Sequence, residues 1–258
     1  MRKEFRLDKK EWLLWLVVRN TMKVKTVGYT NLGGWDDQAE HSANVVVPLM
    51  LDLVAPQSVV DIGCGPGGWL EIFQKNGVKD FLGMDGTWVP TDKLKIPREH
   101  FVATDLTRPL AAQRRFDLVV SLEVAEHLET QFADTFIDSL VALGDVVLFS
   151  AAIPGQRGFQ HVNEQFQDYW VEKFRARSFA CYDFVRPQIW NNRSVSFYYC
   201  QNMLLFVKRG NQVEANLKER QIFPATNMLS VIHPELYWRR LHPLKHILRR
   251  VREKLGRS

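Results

Sequence analysis

The chain has 258 residues, 46% hydrophobic and 24% charged, with a formal net charge of +5, a composition in the ordinary globular range and long enough to bury one substantial core. Its three cysteines, Cys64, Cys181 and Cys200, form no CxxC pair, which argues against both a disulfide framework and a zinc-finger pattern. Residues 237 to 258 hold eight Lys/Arg against one acid, a surplus of seven that leaves residues 1 to 236 at −2, so the charge does not mark the body of the chain as a binder of nucleic acid.

The apolar run Trp12 to Val18 is far shorter than the ~20 residues a membrane span needs. Glu4, Asp8 and Glu11 interrupt the basic start, and no small-residue cleavage site follows, which predicts a cytoplasmic protein with no secretory signal. Residues 8–19 and roughly 38–53 carry helical patterning, so residues 1–55 are predicted to form an N-terminal helical cap. Trp35, Asp36 and His41 lie there, within reach of a site; a packing anchor for Trp35 and a helix cap for Asp36 are the simpler roles.

From residue 58 apolar runs alternate with helical stretches at the rhythm of an α/β sheet. The predicted strands are 58–62, 80–84, 100–104, 116–122, 145–150, 180–185 and 199–207. Several are almost wholly apolar, as expected where helices cover both faces of a sheet, and the short spacing of the last two suits an antiparallel pair. The predicted fold is a seven-stranded, mostly parallel α/β sheet over residues 56–210, followed by an extension over 211–258.

The first strand runs into the loop of VVDIGCGPGGWL, where Gly63, Gly65 and Gly67 allow a sharp turn and close approach of a ligand. Such a loop alone suits a dinucleotide equally well, because helix N-termini attract anions. Asp85 ends the second strand in FLGMDG, where a carboxylate accepts from ribose hydroxyls. Asp105 ends the third in VATDL, where an acid accepts from an adenine amino group. With Asp61, three acids stand at successive carboxyl ends of the sheet, where open α/β sheets bind ligands.

This constellation, together with FDLVVSLEVAEHL at the fourth strand, resembles the class I S-adenosylmethionine-dependent methyltransferases over roughly residues 40 to 208. The resemblance implies a Rossmann-like sheet and S-adenosyl-L-methionine as cofactor. It places Asp61 against the aminoacid part of the cofactor, and Leu106 and Trp88 against the adenine. The loop DIGCGPGGW is also similar to that of heat-shock-type ribosomal RNA methyltransferases. Those enzymes use a Lys-Asp-Lys-Glu set whose strand-end Asp has no counterpart in Ser121, Leu122 and Glu123, which disfavours RNA chemistry by that mechanism.

Glu123, Glu126 and His127 occur at i, i+3 and i+4, so a helical turn after the fourth strand would project all three from one face. Two carboxylates and an imidazole suit a hard cation, Mg²⁺ or Mn²⁺, with His161 in IPGQRGFQHVNEQF as the fourth ligand. The pattern is similar to metal-dependent small-RNA 2′-O-methyltransferases of plants and to catechol O-methyltransferases of the ubiquinone pathway, whose substrates carry vicinal hydroxyls. Glu-His at this place also occurs in metal-free relatives, and there His161 would serve as general base.

Beyond the fifth strand, SAAIPGQRGFQHVNEQFQDYW and RPQIWNNRSVSFYYCQNMLLFV resemble a methyltransferase subgroup of glycan and natural-product pathways. The resemblance implies O-methylation of a hydroxylated small-molecule or glycan acceptor, with Gln156, Arg157, Asn163, Gln165, Trp190, Asn191, Asn192 and Arg193 supplying polar and aromatic contacts. Catalytic roles fall to His161, Glu126 and His127. The alternatives are a metal-free N- or O-methyltransferase, an inactive cofactor-binding scaffold and a nicotinamide oxidoreductase. From Pro243 the chain reads as a basic amphipathic helix, suited to a peripheral membrane surface, a partner enzyme or its own domain.

Overall fold

A computed structural model describes residues 35–110 and 114–241. The predicted helix at 8–19, the apolar run at 12–18 and the basic helix after Pro243 lie outside these residues. Among the described residues no helix is long and apolar enough to cross a membrane.

Seven strands form one sheet: β1 (Ser58–Ile62), β2 (Asp80–Asp85), β3 (Phe101–Ala103), β4 (Leu118–Leu122), β5 (Val146–Ser150), β6 (Phe179–Tyr182) and β7 (Leu204–Lys208), in the order β3-β2-β1-β4-β5-β7-β6. The first five strands pair parallel, whereas β7 pairs antiparallel with both β5 and β6. The chain winds outward from β1 to β3 and then returns to β4 on the other side. That reversal between β1 and β4 opens a crevice at the carboxyl ends of the strands, the usual ligand position in such sheets.

Alternation along each strand builds the two faces. Val59, Leu118, Val120, Val146 and Leu148 enter one apolar cluster, while Val60, Val119, Val147 and Phe149 enter the other, as the period of two requires. Helix α1 (Trp35–Val54) covers the first face with Ala43, Val46, Val47 and Met50, joined by Leu70 and Phe73 of α2 (Gly68–Lys75). Helices α3 (Ala133–Leu143) and α4 (Gln167–Arg175) cover the second with Phe136, Leu140, Trp170 and Phe174.

Several strand boundaries differ from the sequence expectation, among them β6, expected over 180–185 and observed over Phe179–Tyr182. The run 199–207, expected as strand throughout, is helical over α6 (Phe197–Asn202), after a short α5 (Arg186–Ile189), and turns to strand only at Leu204. Tyr198, Tyr199 and Cys200 have the bulk of strand residues, but Tyr199 is buried edge-on against Trp69 of α2, with ring centroids 5.3 Å apart, and that packing overrides local preference. The expected strand 116–122 begins at Leu118, with Phe116 making a single bridge to Gly144.

The chain continues to pack after the sheet is complete. Val213 and Leu217 of α7 (Gln212–Glu219) join the first cluster, Leu229 joins the second, and α8 (Pro234–Leu241) follows. In the second cluster Phe206 stacks on Phe174 at 3.9 Å with an interplanar angle of 15°. Phe206→Ala is expected to cost about 3–5 kcal/mol, seen as a lower urea midpoint with an unchanged slope.

Candidate active site

The glycine loop leaves β1 after Ile62 and reaches α2 at Gly68. Gly63, Gly65 and Gly67 all have positive φ, at 82°, 54° and 94°. A Cβ on Gly63 would lie 2.3 Å from Val124, and one on Gly67 would lie 2.9 Å from Ile96, whereas one on Gly65 would meet nothing within 4 Å. The outer glycines therefore serve close packing, and the middle one faces open space.

Two buried acids border that space. Asp85 accepts from the Gly65 amide at 2.7 Å and the Gly86 amide at 2.6 Å. Burial pushes its carboxyl up to about 6 against the pull of those two amides. Asp61 is raised well above the usual carboxylate range by burial and by the neighbouring Asp85 charge. Buried carboxylates of this kind call for hydrogen-bond donors from a ligand, so the pair fits a cofactor bearing hydroxyl and ammonium groups. Trp88 folds over Gly86, whose added Cβ would lie 2.4 Å from the indole.

Asp105 follows β3 as expected, but its side chain is exposed and caps its own turn. It accepts from the Thr107 hydroxyl at 2.6 Å and amide at 3.0 Å, with Arg108 at 3.3 Å, and the Thr107 hydroxyl holds its carboxyl below the usual range. Leu106 is half-buried against the second cluster. His41 on α1 is exposed, and the side chains of Trp35 and Asp36 lie outside the described residues.

After β4 the chain makes one residue of left-handed turn at Glu123, φ 56°, and then a 3-10 turn over Ala125–His127. The turn is pinned to β5 through the Glu123 amide, which donates to the Ser150 carbonyl at 2.9 Å and hydroxyl at 3.1 Å. Glu123 therefore stands outside the helical face expected from its spacing. Its carboxylate instead accepts from Gln156 at 2.6 Å and Asn202 at 3.0 Å, although burial still raises its pKa.

Glu126, His127 and His161 do converge, with ligand atoms all within 4.8 Å of one another. The HVN segment is docked here because the Glu126 carbonyl accepts from the amides of Val162 at 2.9 Å and Asn163 at 3.0 Å. The His127 and His161 rings meet edge-on with centroids 4.9 Å apart. Burial and the neighbouring His161 lower His127 to about 4, even though its outer side is open to solvent.

Glu126 is fully buried, and neither carboxylate oxygen has a partner at hydrogen-bonding geometry. Its pKa is raised well above the usual range by burial and by Glu123, against the weaker pull of the Glu126 and Ala152 amides. Two orphaned oxygens beside two imidazoles could hold a divalent cation through three protein ligands.

Sequence reasoning passed over Glu164. Its carboxylate accepts from His161 Nδ1 at 2.9 Å and from the Gly155 amide at 2.8 Å. A proton on Nδ1, the tautomer this bond favours, leaves the Nε2 lone pair 3.9 Å from Glu126 Oε1. The only signal was its place three residues after His161. Gly158 was passed over as well, and a Cβ there would lie 2.0 Å from His161 Nε2. Asn202 was absorbed into an expected strand.

Two outcomes follow from this geometry. Because the folded-state pKa of Asp85 lies above its unfolded value of 3.8, the folded chain holds the proton longer and loses stability as pH rises from about 4 to about 6, by on the order of 3 kcal/mol. Asp85→Asn should flatten that slope in urea unfolding followed across the same range. Gly158→Ala should displace the His161 imidazole, seen as moved ring resonances in the NMR spectrum.

Comparison with known proteins bears on the fold and the family. A family model described as a methyltransferase domain matches residues 36–190, more than half of the chain. A 61-residue stretch is 34% identical to ribosomal RNA large subunit methyltransferase E of Caulobacter sp. (strain K31). That match covers 24% of this chain and 25% of the relative, so the chain spans about a quarter of that protein's length. The methyltransferase domain of the bacterial CtHen1-C has the same fold, at 18% identity and a TM-score of 0.50, covering 66% of this chain and 98% of that one. DesVI of Streptomyces venezuelae superposes with a TM-score of 0.49 at 14% identity, covering 79% and 100%. With this sheet order, the matched domain and the two buried acids beside the glycine loop, the chain belongs to the S-adenosylmethionine-dependent methyltransferases.

Proposed function

We propose that the protein is an O-methyltransferase acting on a hydroxylated acceptor, a sugar or glycan, with Asp61, Gly63, Gly65, Gly67, Asp85, Asp105 and Leu106 bordering the cofactor. The observation that carries this reading is the cluster of Glu126, His127 and His161: an alcohol is a poor nucleophile and needs a group that takes its proton as the methyl is transferred. S-adenosylmethionine supplies an electrophilic methyl on a sulfonium. The chain's task is to hold the acceptor oxygen in line with it, exclude water and accept the hydroxyl proton.

Glu126, His127 and His161 would hold Mg²⁺ or Mn²⁺, which when bound lowers the pKa of a coordinated hydroxyl. Glu164 fixes the imidazole of His161 in either case. A second, metal-free reading has its own support. Glu123, expected as a metal ligand beside Glu126 and His127, is occupied by Gln156 and Asn202, and His161 Nε2 is then the proton acceptor. The basic C-terminal segment remains suited to a peripheral membrane or partner-enzyme contact.

The test is labelled-methyl transfer to nucleotide sugars, glycans, catechols and RNA, after chelation and with Mg²⁺ or Mn²⁺ restored. Transfer to a sugar hydroxyl, lost in chelator and recovered with metal, is expected, and Glu126→Gln should abolish the recovery. Activity that persists in chelator and tolerates His127→Ala, yet falls a hundredfold or more in His161→Ala, selects the metal-free reading. Transfer confined to nitrogen acceptors or RNA overturns the proposal.

A further inference from the structure

An open cavity of about 420 Å³ lies over the His161 side of the cluster, lined by Arg157, Gly158, His161, Val162 and Glu164. Arg157 projects from a left-handed turn, φ 58°, whose amides at Gly155 and Arg157 are both gathered by Glu164. A second guanidinium comes near the cavity from α8 without lining it: Arg240 Nη2 donates to the carbonyl of Gln156, the residue preceding Arg157.

Among the described residues neither guanidinium is in an ion pair: that of Arg157 has no carboxylate partner, and Arg240 is bonded to a neutral carbonyl, while its neighbour Arg239 is paired with Glu235. Arg157 and Arg240 are close enough to repel, and burial and that repulsion together lower the pKa of Arg240. Glu164, the nearby acid, attracts Arg240 but is already committed to His161 Nδ1 and two amides.

Two guanidiniums, one lining the cavity and one beside it, neither in an ion pair among the described residues, match an oxyanion brought by a ligand. A guanidinium presents a planar fork to phosphate or carboxylate oxygens. Arg240 is fixed in place by the bond to Gln156, whose side chain in turn ties to Glu123 and Asn202. The anion subsite and the turn after β4 are thereby parts of one bonded framework.

We infer that Arg157 and Arg240 form an oxyanion subsite, so that the acceptor is an anionic hydroxylated compound, a phosphorylated sugar or a uronic acid, rather than a neutral one. This rests on the proposed function in taking the Glu126, His127 and His161 cluster as the reaction centre. The anion sits at the rim on the His161 side, and the hydroxyl to be methylated reaches inward from it.

The test uses the full chain saturated with S-adenosylhomocysteine, in EDTA so that no metal contributes, titrated calorimetrically with glucose 6-phosphate, glucuronate and glucose. Saturable binding of glucose 6-phosphate or glucuronate but not glucose is expected, weakening with added salt. Arg157→Gln and Arg240→Gln should each weaken it about tenfold or more, the loss of one charge-assisted contact, while S-adenosylhomocysteine affinity stays within about twofold. Tighter glucose 6-phosphate identifies a phosphate ligand, and tighter glucuronate a carboxylate. Equal binding of glucose, no saturable binding by any of the three, or anion binding indifferent to both substitutions overturns the subsite. Loss of S-adenosylhomocysteine binding in the wild-type chain would overturn the methyltransferase reading itself and is scored separately.

Discussion

A carboxylate taken out of water must give up its charge or find a cation, because the penalty for a bare buried ion amounts to about several kcal/mol even after the surroundings relax. Glu126 is in that position, fully buried with no bond to either oxygen, and the surrounding geometry is organised around it. The left-handed Glu123 points the chain inward from β4, the Glu126 carbonyl anchors the HVN segment, and that segment delivers His161 to the carboxylate. A side chain kept in this state costs stability, and such residues are concentrated at sites of function. The same reasoning extends to Asp61 and Asp85 on the other side of the β1 to β4 reversal, so the crevice is bordered by acids raised through burial on both flanks.

The parts of this site that were legible in the sequence are those fixed by the sheet. Asp61 and Asp85 could be placed because strand ends follow from apolar runs, and β1 and β2 lie where those runs put them. The glycines were legible as a turn, although only the structure separates Gly65, which faces open space, from Gly63 and Gly67, which relieve contacts with Val124 and Ile96. Spacing also joined Glu126 to His127, and His161 met them because its loop follows the adjacent β5.

What could not be read depends on contacts between loops far apart in sequence. Glu123 shares a spacing with Glu126, but its backbone turns left-handed, and it ends on Gln156 and Asn202, 33 and 79 residues away. Periodicity assumes a continuous helix and fails at a single residue of the wrong hand. Asn202 itself was hidden by a run of β-favouring residues that packs as helix against Trp69. Glu164 lay beside His161 in plain view, yet nothing local distinguishes an acid that orients an imidazole from one that only solvates a loop. Asp105 shows the converse: its place after β3 was legible, and its bonds to Thr107 were not.

The framework around Glu123 is completed from far along the chain. The Gln201 side chain accepts from the His233 amide at 2.8 Å, Arg186 donates to the Leu229 carbonyl at 2.8 Å, and Arg240 reaches Gln156. During synthesis the sheet strands through β7 can therefore emerge and pair while the wall of the crevice is still unfinished. A growing chain halted before residue 229 would own the glycine loop and both of its acids, yet lack what holds Gln201 and Gln156 in place. An order of assembly is thus written into the chain, in which the strand-end loops can close before the residues that brace Gln156 and Gln201 are in place.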